Sequence, residues 1–135
     1  MSDPKQDSLS VIAGTDLVET YYLWDDDTGL PVDWTDGTWQ VEMELQDRSG
    51  QAYARIANFG SRDGDVTLSD GELTIELTGE ATAALPITRT PLNTTDPRVV
   101  AYRHRNPLFF TLVATETTSG DVSDLIVGTL VVHQP

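Results

Sequence analysis

The 135-residue chain has no cysteine, one lysine, two histidines and no apolar run near the length of a membrane span. Each shortage closes off a class of chemistry. Without cysteine there is no disulfide, no thiolate zinc site and no thiol nucleophile, and redox compartment leaves no mark on the sequence. His104 and His133 are the only imidazoles, and neither sits in a recognisable motif, so neither a Ser/His/Asp site nor a histidine metal cluster is expected. No glycine-rich phosphate loop or nucleotide fingerprint occurs, and no cofactor is expected. A helical span needs ~20 apolar residues in succession, which the chain does not supply. The N-terminal MSDPKQDSLSVIAG holds a single Lys, an acid at Asp3 and no apolar h-region, so no secretion signal is expected.

Positive charge is scarce as well: 22 acids face 8 bases, for a formal net charge of −14. A field of that sign repels phosphate, so neither nucleic acid nor an anionic membrane is an expected partner. The acids fall in turns and on the polar faces of strand-like runs. That placement reads as solvated surface rather than as a carboxylate pair for hydrolysis, and the expectation is a protein that is not an enzyme.

What the chain does have is strand periodicity. Trp39, Val41, Met43 and Leu45 alternate with Gln40, Glu42, Glu44 and Gln46, and Leu73, Ile75 and Leu77 alternate with Glu72, Thr74 and Glu76. Leu17–Trp24, the stretch around Tyr53–Phe59, Leu108–Thr115 and Leu125–His133 supply further runs rich in β-branched and aromatic residues. Turn formers separate them at Asp25–Gly37, Asp47–Gly50, Gly60–Asp65, Ser69–Gly71 and Ser119–Asp121. The Ala-rich segment Gly79–Pro86 is the one credible helix. About seven short strands, turns every 8–12 residues or so and one short helix predict an all-β fold, an antiparallel Ig-like β-sandwich. Trp39 is the expected central core residue, with Leu23, Val41, Met43, Leu73, Ile75, Leu77, Phe110, Leu112, Ile126 and Leu130 around it. Residues 1–16 read as an N-terminal arm or an edge strand, and 17–135 as one domain.

One segment breaks the pattern. Residues 86–107 form a long loop punctuated by Pro91, Pro97 and Pro107, with little periodicity beyond a short strand at Val99–Tyr102. Arg89, Arg98, Arg103 and Arg105 are half of the eight bases of the chain, opposed within the loop by Asp96 alone. Two readings stand side by side. The loop docks into an acidic groove of a neighbour, with Tyr102 and His104 joining the arginines, or the arginines pair with the chain's own carboxylates. Tyr22, Trp24 and Trp34 flank the acidic turn and form a candidate sugar-stacking platform. Within the turn, Asp25, Asp27, Gly29, Asp33 and Asp36 have part of the spacing of a calcium loop. Leu30 occupies the place of the required glycine and Asp36 that of the bidentate Glu, so no metal is assigned.

Beyond these separate signals, Trp24, Gly29, Pro31, Val41, Gly71, Leu73, Ile75, Leu77, Ala83, Ala84, Leu85, Gly128, Leu130 and Val132 follow one order. A Trp strand enters a D-x-x-G-x-P turn, then come an amphipathic strand, an acidic strand, a short helix and a closing hairpin. Over roughly Leu17 to Val132 this resembles small β-sandwich proteins of bacteriophage structural genes, of the type of the N-terminal domain of baseplate upper proteins and related tail or virion accessory proteins. The resemblance implies a non-catalytic virion component, assembled in the host cytoplasm, whose partners are other virion proteins, copies of itself among them. A tail or baseplate accessory and a head decoration or cement protein both fit, and a carbohydrate-binding adhesion module is the alternative. The long loop at 86–107 departs from the resembled pattern and marks where this chain's docking differs.

Overall fold

The computed structural model describes residues 4–25, 29–34, 38–60, 63–92 and 101–135, with backbone alone for 91–92 and 101–104. The first half of the chain forms β1 (Lys5–Ile12), β2 (Leu17–Tyr22), β3 (Trp24–Asp25), β4 (Leu30–Pro31), β5 (Trp39–Gln46) and β6 (Ala52–Ala57). The second half forms β7 (Gly64–Ser69), β8 (Glu72–Leu77), helix α1 (Gly79–Ala83), β9 (Arg89–Leu92), β10 (Ala101–His104), β11 (Leu108–Glu116) and β12 (Val122–His133). Ten strands share one sheet; β3 and β4 form a separate small ribbon.

The strand alternation explains which face each element buries. Val41, Met43 and Leu45 of β5, Leu73, Ile75 and Leu77 of β8, and Leu108, Phe110, Leu112 and Ala114 of β11 are all buried in one core. Their acidic and polar neighbours face water. Each such valine, leucine, isoleucine, methionine or phenylalanine contributes roughly 1.5–3 kcal/mol relative to exposure. On β12 the register shifts opposite Leu112/Val113, so Leu125 and Ile126 are adjacent in sequence and both buried. At Gly128 the strand needs the absence of a side chain. A methyl group there would overlap the Asp7 carbonyl oxygen and lie 2.8 Å from Phe110 Cζ, whose ring fills the space instead.

The order of the sheet makes it fold over. From β2 it runs β8, β7, β6, β5, β11 and β12, and β1 pairs with β12 along the side that β11 leaves open. The β6–β7 junction is a single parallel pair, Ala57 with Asp65, and there the sheet turns its corner. One layer is β1-β12-β11-β5-β6 and the other β7-β8-β2, and the inward residues of both belong to the same core. The all-β sandwich with one short helix is therefore the fold. It has more strands than the expected seven or so, and it is mixed rather than wholly antiparallel, because β1 and β12 run parallel over eight register pairs. Residues 5–12 take the edge-strand alternative: Leu9 and Val11 are core residues.

Helix α1 starts where a capping residue allows it. Thr78 Oγ1 accepts the Ala81 N–H at 3.2 Å, and Glu80 sits in the first turn. The helix holds the turn between β1 and β2. Fully buried Thr82 donates its hydroxyl to the Thr15 carbonyl at 2.6 Å and accepts the Gly14 N–H at 3.1 Å, while the Gly79 N–H donates to Asp16 Oδ1 at 2.7 Å.

The outer strands of the two layers are pinned by a polar contact. Tyr21 of β2 is buried and donates its hydroxyl to Asp7 Oδ2 of β1 at 2.8 Å. Lys5 Nζ lies 5.8 Å from the centroid of the same ring. Burial, the hydrogen bond to Asp7 and the negative charges of Asp7 and Glu19 push the tyrosine pKa well above its ordinary value. Folding therefore favours the protonated phenol. Its contribution is complete below about pH 10 and falls as pH rises above that, where the unfolded tyrosine ionises and the folded one does not. Tyr21→Phe is expected to lose about 1–2 kcal/mol in urea unfolding at neutral pH. Its stability should also decline less steeply than wild type above about pH 10. An unchanged alkaline slope would show that Tyr21 is not the titrating group.

Candidate interaction surfaces

The basic segment proves to be more ordered than a loop. Its two ends form an antiparallel ribbon, β9 with β10, in the register Leu92–Ala101, Pro91–Tyr102, Thr90–Arg103 and Arg89–His104. Of the expected strand Val99–Tyr102, residues 99 and 100 lie outside the described residues; β10 takes in Ala101 and Tyr102 and continues to His104, which places Arg103 and His104 within the strand instead of beyond its end. The cause lies in β12. Its partner β11 begins at Leu108, opposite Leu130, so the end of β12 runs on past it and β9 takes up that side.

The root of the ribbon is a set of backbone bonds around Thr88. The Thr88 N–H donates to the Val132 carbonyl at 2.9 Å, the Val132 N–H donates to Thr88 Oγ1 at 2.7 Å, and the Arg105 N–H donates to the Thr88 carbonyl at 2.8 Å. The Gln134 N–H closes the set on the Arg89 carbonyl at 3.0 Å. Thr88 is buried, a role that no pattern in the sequence announced. Arg89 is half-buried at the root and Arg105 exposed just beyond β10. Arg98 lies outside the described residues, as do the side chains of Tyr102, Arg103 and His104. β10 ends the strand order, with β9 as its neighbour on one side.

The three aromatics of the sugar platform are not brought together. Trp34 is 6% exposed and meets Trp39 edge to face, with ring centroids 5.4 Å apart. Trp39, expected at the centre, is only partly buried at the start of β5, and Leu23 is likewise partly buried. The reason is positional: β5 begins at the rim of the sandwich, where Trp34 is buried against the Trp39 ring. Tyr22 and Trp24 remain well exposed at 64% and 59%. They stay outside because the chain between them turns inward: the Leu23 N–H donates to the Gly71 carbonyl and the Val32 N–H to the Leu23 carbonyl. Gly71 is required in this anchor, since its φ is +71° and a methyl group would lie 2.5 Å from Pro31 Cβ.

Of the acidic turn, Asp27 and Asp36 lie outside the described residues, the Gly29 N–H bonds the Asp25 carbonyl at 2.8 Å, and among the described residues no three acids or histidines converge as a metal site. Glu116, at the same pole, serves its own turn. Its carboxylate accepts the Thr118 and Ser119 N–H groups, and hydrogen bonds led by Ser119 hold its pKa down to about 2.

A further surface went unmarked in the sequence. On the outer face of the five-stranded layer, Phe109 is 42% exposed between two shallow depressions of about 290 and 540 Å³. The signal was present in the alternation, because burying Leu108 and Phe110 forces the residue between them outward. No family model and no curated protein matches this chain.

The two tryptophans separate core from surface. Trp34→Ala is expected to cost about 3–5 kcal/mol in chemical denaturation. Trp24→Ala should stay within about 0.5 kcal/mol of wild type. Equal losses in the two variants would contradict the burial described.

Proposed function

We propose that the chain is a non-catalytic structural component of a bacteriophage virion that docks on other particle proteins through the β9–β10 ribbon. The observation that carries this reading is the concentration of half the bases of a strongly acidic chain in a segment whose strand β10 has, among the described residues, β9 as its one neighbour. Arginine is favoured at binding hot spots, because its planar fork bonds carboxylates bidentately and is less hydrated than an ammonium. An open edge adds unpaired backbone groups that a partner strand can complete. The virion setting is supported by the resemblance over roughly Leu17 to Val132 to phage accessory proteins. A tail or baseplate accessory and a head decoration protein use the same docking chemistry, and a second copy of the chain counts among the partners.

Two measurements test the reading. Purified particles of the encoding phage should contain the protein in their mass-spectrometric inventory; its absence there sinks the virion assignment. The double variant Arg103→Ala, Arg105→Ala should bind particles at least about tenfold more weakly, a loss of roughly 1.4 kcal/mol. Its folding stability should stay within about 0.5 kcal/mol per site. Binding by the native chain should also weaken between about 0.1 and 1 M salt, as the Debye length shrinks from ~10 to ~3 Å. Intact binding with a large loss of stability would instead make the arginines internal struts.

A further inference from the structure

The face around Phe109 is built by register. Phe109 of β11 stands between Gln46 of β5 and Thr129 of β12, and in the next row Thr111 stands between Glu44 and Val127, with Gln6 of β1 beyond. The two depressions meet at Phe109 and Thr111, so the hollow crosses four strands. At a spacing of ~4.8 Å between strands that is about 14 Å, the reach of a short oligomer rather than of a single small molecule.

We propose that this face binds a neutral glycan chain, laid across β5, β11, β12 and β1 with the Phe109 ring stacked on a sugar. A pyranose has an apolar C–H face and a rim of hydroxyls. Phe109 matches the first, and the amides and hydroxyls of Gln6, Gln46, Thr111 and Thr129 match the second. The carboxylates at one end select for charge. Glu42 is held by Arg55 at 2.7 Å and Glu44 by Gln46 Nε2 at 2.6 Å, leaving further lone pairs to accept sugar hydroxyls while repelling an anionic ligand. The hollow is shallow, with apolar, uncharged polar and acidic side chains in its lining, and without the deep desolvated pocket that anchors a protein hot spot. Its third carboxylate, Asp7, accepts the Tyr21 hydroxyl at 2.8 Å, so all three acids already have partners within the fold and a neutral glycan is favoured over a basic peptide. The site lies away from the Tyr22 and Trp24 hairpin and does not depend on the ribbon, so its failure leaves the docking proposal untouched.

The test uses the full chain on an array of neutral and acidic oligosaccharides. The best neutral ligand is then titrated by calorimetry and amide NMR. Neutral glycans should bind and acidic ones should not, with the shifted signals including Gln6, Gln46, Thr111 and Thr129. Phe109→Ala should weaken binding at least about tenfold with the remaining spectrum unchanged, and Phe109→Trp should retain it, because stacking needs a ring rather than phenylalanine itself. The proposal is overturned if no neutral glycan binds, if Phe109→Ala binds as well as wild type, or if the shifts map to Tyr22 and Trp24. It is equally overturned if an Arg/Lys-rich decapeptide shifts this face while the glycans do not.

Discussion

The architecture depends on the short turn between β1 and β2. Those strands are neighbours in sequence yet are the outer strands of the two layers, β1 beside β12 and β2 beside β8, and Ile12 to Leu17 can span no more than roughly 17 Å even when extended. A flat sheet of so many strands would hold its ends several times farther apart, at ~4.8 Å per strand. It therefore has to close on itself, and the single-pair junction between the two layers, Ala57 with Asp65, is where it bends. The polar contacts follow from this demand. Thr82 and Asp16 fasten the turn to α1, and Tyr21 reaches across the closed seam to Asp7.

The same constraint sets which edges are guarded. β1 is an edge strand, and an edge strand with a wholly apolar inner face invites pairing with other chains. Here the inward positions near its start carry Lys5 and Asp7 in place of aliphatic residues, with Tyr21 satisfying the carboxylate. Among the described residues β10 is the contrasting case, a short strand with β9 as its one neighbour in a segment rich in arginine.

How much of this was legible depended on whether the deciding contact was local. The alternations in β5 and β8, the α1 segment and the turn at Ser119–Asp121 are set by residues within a few positions of one another, and they stood in the sequence as they stand in the fold. The Asp47 turn is of the same kind, since its carboxylate collects the Ser49 and Gln51 N–H groups and the Tyr53 hydroxyl. Long-range choices were not legible. Alternation gives a strand its faces but not the direction of its neighbour, so the parallel β1–β12 pair was invisible. Two nearby tryptophans of equal hydrophobicity gave no sign that Trp34 would lie under Trp39. Of the sites, the charge of the basic segment was plain, but its rooting through Thr88 depends on β12 outrunning β11, a comparison of lengths across the sheet. Phe109 was hidden by its neighbours: in an apolar run, the outward residue looks like the inward ones.

The parallel pairing of β1 with β12 also has a mechanical meaning. Lys5 lies beside Ile126 and Ile12 beside His133, so the two strands leave the molecule at opposite poles. A tension applied between Lys5 and His133 would draw them past one another along their length. Their hydrogen bonds would then be loaded together in shear, rather than opened singly as in a zipper, and the buried Leu9 and Val11 would have to slide across Leu130 and Val132 at the same time. The strand pair that closes the sheet is thereby also the element that would resist stretching of the chain.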